Sequence, residues 1–201
     1  MISTEDQSHA HNWYESDKSF DAVYPLSIRQ HTRNHWTPLE VVQLASNYLA
    51  AEKKAKVLDI GSGAGKFCLA AAHYKPDAKF FGIELRKNLV DEANKAKKQL
   101  ALKNVTFTYG NFTNVDLRKY NSIYFYNSFY ENIVGINKID ENLAFSSEQF
   151  DQYNFHLFTQ LEQMPAGTRL ATYHSTEKEI PPCFLEVGSQ LDNLLKFWIK
   201  A

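Results

Sequence analysis

One stretch constrains this chain more than any other: Val57-Leu58-Asp59-Ile60-Gly61-Ser62-Gly63-Ala64-Gly65-Lys66-Phe67. Two apolar residues, an acid and a further apolar residue read as the end of a buried strand. The glycines then make a sharp turn, and a helix-like run begins at Lys66. Glycine accepts positive φ and lets a ligand approach the backbone closely. A helix that starts just after such a turn points free N–H groups and its positive dipole end at the ligand. A phosphate-gripping P-loop needs G-x-x-x-x-G-K-[ST], but Phe67 follows Gly65-Lys66 and carries no hydroxyl for magnesium. The dinucleotide fingerprint G-x-G-x-x-G also fits poorly, because the spacing here is G-x-G-x-G with an acid two residues ahead. A glycine-rich turn without a ligand is the remaining alternative.

A second stretch argues against that alternative. Lys79-Phe80-Phe81-Gly82-Ile83-Glu84-Leu85 reads as strand two and ends in an acid about 20 residues beyond the glycines, where a carboxylate can accept both hydroxyls of a ribose. Glu84 could otherwise be a surface acid at a strand end.

The 201 residues suit one domain with a sizeable core. A net charge of −1 and a pI near 6.7 give no electrostatic reason to expect bulk nucleic-acid binding. Lys95, Lys97, Lys98 and Lys103 read as a solvated helix face. Two cysteines, Cys68 and Cys183, are too few for a disulfide framework or a cysteine-based zinc site, and no metal-ligand spacing is visible. No apolar leader or membrane-spanning run is visible, so a cytoplasmic chain is expected.

Residues 1–36 form an arm. Its first 11 residues are polar; then Trp13, Tyr14, Phe20, Tyr24, Ile28 and Trp36 interleave with Arg29, His31, Arg33 and His35. The arm either covers a core edge or closes as a lid over ligand and substrate. Thr37-Pro38-Leu39-Glu40 predicts a capped helix start. Helices are expected over about 66–74, 86–102 and from Ser146-Ser147 to Pro165, with the last striped by Phe150, Tyr153, Leu157, Phe158 and Leu161 and flanked by His156. Strands are expected at 56–60, 79–84, 105–109, 122–126 and 169–174. A terminal hairpin of Cys183–Val187 and Leu194–Ile199 completes the set. This order predicts an α/β fold: a three-layer, Rossmann-like, seven-stranded mixed sheet with helices on both faces.

The pattern of hydrophobic-Asp-hydrophobic-G-S-G-x-G resembles motif I of class I S-adenosylmethionine (AdoMet) methyltransferases. The resemblance covers residues 56–130, with weaker similarity from 37 to 174, and makes 37–201 the expected catalytic domain. It implies AdoMet as cofactor, with an acid orienting the methionine ammonium. The cofactor residues it implies are Asp59, Gly61, Ser62, Gly63, Gly65, Glu84, Leu85, Asn111, Phe112 and Asn127. Glu84 would bind the ribose. Asn111, in Gly110-Asn111-Phe112 after strand three, would read the adenine or serve only as a turn residue.

The strand-four stretch Ile123-Tyr124-Phe125-Tyr126-Asn127-Ser128-Phe129 is most similar to the non-SET histone-lysine methyltransferases, with Ser128 in place of a second asparagine and Asn111 in place of an acid. A weaker comparison is the Asn-Pro-Pro-Tyr motif of enzymes that methylate planar amino groups, with Asn127 and Tyr130 in the outer positions. Catalytic roles therefore fall to Asn127, Phe129 and Tyr130, with Tyr126 as a further channel wall and His174 as a weak general-base candidate. The expected reaction is methyl transfer to an amine, a protein lysine being one candidate. A small-molecule or nucleic-acid acceptor and a non-catalytic AdoMet-binding module remain the alternatives.

Overall fold

The computed structural model describes residues 12–30, 36–126, 147–175 and 179–201. Asn127, Ser128, Phe129 and Tyr130 lie outside the described residues, as do His31, Arg33, His35 and Ser146. The helices are α1 (Asp17–Asp21), α2 (Leu26–Arg29), α3 (Leu39–Leu49), α4 (Lys66–Tyr74), α5 (Lys87–Gln99) and α6 (Ser147–Glu162). The strands are β1 (Lys56–Ile60), β2 (Lys79–Glu84), β3 (Val105–Tyr109), β4 (Ser122–Phe125), β5 (Arg169–Tyr173), β6 (Phe184–Gln190) and β7 (Leu195–Lys200).

They form one seven-stranded sheet of order β3-β2-β1-β4-β5-β7-β6. β1 to β5 run parallel to one another, and β7 inserts antiparallel between β5 and β6. The order reverses between β1 and β4, which makes a crevice at their carboxyl ends, the place where open α/β sheets bind ligands.

Alternation along the strands divides the core into two layers. Val57 of β1, Tyr124 of β4 and Ala171 of β5 face one layer with α3, α4 and α5, whereas Leu58, Ile60, Ile123, Phe125 and Leu170 face the other, with Leu157 and Leu161 of α6. Such strands are buried on both faces, and β4 reads as a continuous buried run. Phe67 of α4 stacks on Tyr124 with ring centroids 3.8 Å apart, fixing the helix that follows the glycine turn against the sheet.

The arm is part of the same core. Phe20, Val23, Tyr24 and Ile28 are buried in the layer that holds α3 to α5, and the Tyr14 ring stacks on His73 at 3.6 Å. The expected capping of α3 is corrected here. The sequence predicts Thr37 as the cap, with Pro38 as the first helical residue and Glu40 closing a capping box. Pro38 is instead the N-cap and makes no side-chain cap bond; the Thr37 hydroxyl is buried against the Tyr124 hydroxyl at 3.0 Å. Asp17 of the arm supplies the acceptor instead, taking the Leu39 N–H at 3.0 Å. A tertiary partner has displaced the local rule.

Smaller boundary differences have local causes. α5 stops at Gln99, with Ala101 in the left-handed region at φ 52°. β6 extends to Gln190, so the hairpin connection shrinks to Leu191–Leu194, where Leu191, Asp192 and Asn193 all have positive φ. No helix among the described residues is long and apolar enough to cross a membrane.

Candidate active site

The site is built at the carboxyl ends of β1 and β2. Ile83 O at the end of β2 accepts from Gly61 N at 2.9 Å and from Ser62 N at 3.0 Å, clamping the turn to the neighbouring strand. Gly61, Gly63 and Gly65 have φ of 73°, 55° and 86°. Two of these glycines differ in kind. A Cβ on Gly65 would lie 2.5 Å from the Phe107 ring, so this glycine lets α4 sit down on β3 and α5. A Cβ on Gly63 would meet nothing within 4 Å, so this glycine faces open space where a ligand can reach the backbone.

Glu84 is 5% exposed and clasps the turn from below. Its Oε2 accepts from Gly63 N at 3.0 Å and its Oε1 from Arg86 N at 2.8 Å, with Arg86 Nη1 at 3.6 Å. Two backbone donors and a guanidinium thus hold the carboxyl group in place. Leu85 is half-buried beside it.

Asp59, one residue before the end of β1, is paired in register with Gly82 on β2 and Tyr124 on β4. It is 4% exposed. Its one observed hydrogen bond comes from the Cys68 thiol on α4, at 3.7 Å, and no cationic side chain forms an ion pair with it among the described residues. Burial pushes its carboxyl up to about 8, against the lowering effect of the Cys68 bond, and the Glu84 charge adds to the rise. The Cys68 thiol is pushed well above its usual range by its own burial and by Asp59. Asp59 thus meets one thiol, whereas Glu84 on the neighbouring strand is held by two backbone donors. The Asp59 carboxyl fits a ligand ammonium, which would supply the missing cation.

Beyond β3, Asn111 caps a short 3-10 turn, Phe112–Asn114: its Oδ1 accepts from Thr113 N at 3.1 Å and its Nδ2 donates to the Tyr153 hydroxyl on α6 at 3.1 Å. The turn-residue role is therefore observed directly. Phe112 is buried, with its ring edge-on to Tyr153 and to His156. At the ends of β4 and β5, Tyr126, Tyr173 and His174 form an aromatic corner, with the two tyrosine rings 4.8 Å apart. Burial pushes the Tyr126 phenol up to about 12, with Tyr173 adding to it, so it stays protonated. Burial also lowers His174 from its ordinary value.

Several residues at the site escape sequence reasoning. Gly82 has no φ requirement, yet a Cβ there would lie 2.5 Å from Ser62 Oγ. Cys68 reads as core and is buried, but it also donates to Asp59. Lys66, the first residue of α4, is only 5% exposed and donates to Asp17 Oδ1 at 2.6 Å and Asp21 Oδ1 at 2.7 Å. The available signal was a lysine opening a helix, where the dipole disfavours a cation. Among the described residues, no group of three or more histidine, cysteine or acidic side chains is placed to hold a metal ion. A cavity of about 600 Å³ lined by Lys56, Arg118, Lys119 and Arg169 opens at the amino ends of β1, β4 and β5, away from the turn.

Comparison with known proteins agrees with this geometry. A tRNA (guanine-N(7)-)-methyltransferase of Synechococcus sp. (strain JA-3-3Ab) is 49% identical over 61 residues, 30% of this chain and 25% of that protein. A release factor glutamine methyltransferase of Buchnera aphidicola is 43% identical over 67 residues, 33% of this chain and 24% of that protein. The chain thus spans about a quarter of the length of either relative. An RNA methyltransferase from Salinibacter ruber, solved in complex with S-adenosyl-L-homocysteine, shares the fold with a TM-score of 0.56 at 21% identity, covering 82% of this chain and 93% of that one. A family profile described as a methyltransferase domain matches residues 51–165, more than half of the chain, and the protein therefore belongs to the AdoMet-dependent methyltransferase domain family.

Proposed function

We propose that the protein transfers a methyl group from AdoMet to a nitrogen acceptor. The observation that carries this reading is the division of labour between two buried acids around the glycine turn. Asp59 has a carboxyl without a cation, and Glu84 has a carboxylate fixed by two backbone donors. In this reading Asp59 receives the methionine ammonium and Glu84 the ribose hydroxyls. The backbone of Gly61, Ser62, Gly63 and Gly65 cradles the methionine portion. Leu85, Phe112 and Asn111 flank the adenine, Asn111 through the acceptor capacity that its cap bond leaves.

When bound, AdoMet supplies a methyl group already activated as a sulfonium, so the chain contributes alignment and exclusion of water. Tyr126 and Tyr173, at the ends of β4 and β5, give the acceptor side an apolar wall beside the switch point. Burial there disfavours an ammonium and so helps an amine lose its proton. With its raised phenol, Tyr126 can donate a hydrogen bond but does not serve as a base near neutral pH. Asn127 orients the acceptor nitrogen, with Phe129 and Tyr130 completing the wall; these three roles rest on the sequence motif.

Support for nitrogen as the acceptor atom comes from the relatives, whose names specify guanine N7 of tRNA and a glutamine of a release factor. A nucleobase nitrogen in RNA is accordingly the first candidate. Protein lysine is the second reading, supported by the motif Asn127-Ser128-Phe129. The deciding experiment incubates the protein and isotopically labelled AdoMet with separated RNA, protein and small-molecule fractions of a cell extract. Label in RNA supports the first reading, and label on protein lysine the second. AdoMet binding without transfer to any fraction would identify a non-catalytic binding module.

A further inference from the structure

Lys66 occupies the worst position on its helix for a cation. It is the first residue of α4, where the unsatisfied N–H groups and the macrodipole present positive charge. It is also buried, and an ammonium taken out of water is costly unless it is paired and hydrogen-bonded. Both requirements are met from 45 and 49 residues upstream by Asp21 and Asp17, which lie four residues apart on one face of α1. The rings of Phe20 and Trp36 lie 5.8 and 5.6 Å from the ammonium, closing it from solvent.

Two further bonds tie the same arm to the same turn. The Tyr24 hydroxyl donates to Ala64 O at 2.9 Å, inside the Gly63-Ala64-Gly65 segment. Asp17 also accepts from Leu39 N, joining the start of α3 to the start of α4.

We propose that Lys66, held between Asp17 and Asp21, is a positioning residue for AdoMet, and that arm residues 12–30 are thereby a working part of the cofactor site. This rests on the reading of the glycine turn as the AdoMet cradle. The cluster carries one positive and two negative charges, so its net charge complements the positive helix end and holds α4 and Gly65 in place. Without the carboxylates, an unpaired buried ammonium remains at that end. Its readiest relief is a shift of the first turn of α4 toward solvent, which carries Gly63, Ala64 and Gly65 with it.

The test compares AdoMet affinity by calorimetry in three proteins: wild type, Asp17→Asn/Asp21→Asn, and that double variant with Lys66→Met added. Asparagine keeps an oxygen for Leu39 N and nearly the same shape, so the cap of α3 survives. The double variant should bind AdoMet about tenfold or more weakly, because one partner of a buried ion cluster has been removed. The triple variant, with no charge left to pair, should recover most of that loss. Ligand-free thermal melts run alongside, and the rescue must appear in affinity when melting temperatures are matched. Unchanged affinity in the double variant overturns the proposal. So does a triple variant as weak as the double, which would mean that the carboxylates act other than by pairing Lys66. A wild type that binds no AdoMet refutes the cofactor reading itself.

Discussion

Replacing Asp59 by asparagine isolates a buried carboxyl whose titration is strongly displaced. The carboxyl is buried, its proton is retained up to about 8, and an unburied aspartate titrates at 3.8. A folded-state value above the unfolded one means that the folded protein holds the proton more tightly. The stability this provides is fully present below the unfolded value and is lost as pH rises through the folded one. At about 1.4 kcal/mol per pH unit, the wild type should lose roughly 4 kcal/mol between pH 5 and 8 from this group alone. Asparagine does not titrate, is nearly isosteric, and keeps an oxygen for the Cys68 thiol. Other titrating groups are common to both proteins and cancel in the difference. Urea unfolding of both proteins from pH 5 to 8 would give two free-energy curves. The asparagine variant should gain on the wild type by several kcal/mol toward pH 8. Under the proposed placement of the methionine ammonium on Asp59, saturating AdoMet should narrow that gap. Parallel curves without ligand would refute the argument that burial keeps Asp59 protonated.

Three other outcomes follow. Glu84→Ala should weaken AdoMet by roughly 1–3 kcal/mol in calorimetry, the scale of charged hydrogen bonds, and an unchanged affinity would leave Glu84 only its structural role of holding Gly63 N and Arg86 N. Gly65→Ala places a Cβ 2.5 Å from the Phe107 ring at a φ of 86°, and should cost about 1–3 kcal/mol or more in thermal melts, whereas Gly63→Ala, with the same sign of φ but open space, should cost less. Asn127→Ala should leave AdoMet binding within a few fold of wild type while turnover on an identified acceptor falls by about 2–4 kcal/mol of transition-state stabilisation; full activity would remove Asn127 from catalysis.

Where sequence reasoning succeeds and fails here has physical causes. β1, β2 and β3 are uninterrupted apolar or alternating runs bounded by turns, and their ends match the expected residues. The glycine turn and Glu84 are legible because their spacing is set by one βαβ unit, within which local geometry dictates the site. The arm is a different case. α1 and α2 contain 5 and 4 residues, too short to show a helical period, so whether the arm packs on a core edge or reaches the site is not visible in its pattern. Its decisive contacts, from Asp17 and Asp21 to Lys66 and from Tyr24 to Ala64, span 40 residues or more. Thr37 shows the same limit from the other side: it has the residue type for a cap, but Tyr124 claims its hydroxyl. The Asp59–Cys68 pair joins a strand to the next helix, and only the packing of α4 on the sheet brings the thiol to the carboxyl.

Cofactor choice is the claim on which the rest depends. It is tested most directly by calorimetric titration of the purified protein with AdoMet, S-adenosylhomocysteine and NAD under one buffer condition. Asp59 beside the turn calls for an ammonium, and the turn lacks the pyrophosphate-binding G-x-G-x-x-G spacing. AdoMet and S-adenosylhomocysteine should therefore both bind with one-site stoichiometry, and NAD should give no saturable heat. Saturable binding of NAD with none of AdoMet would contradict the account.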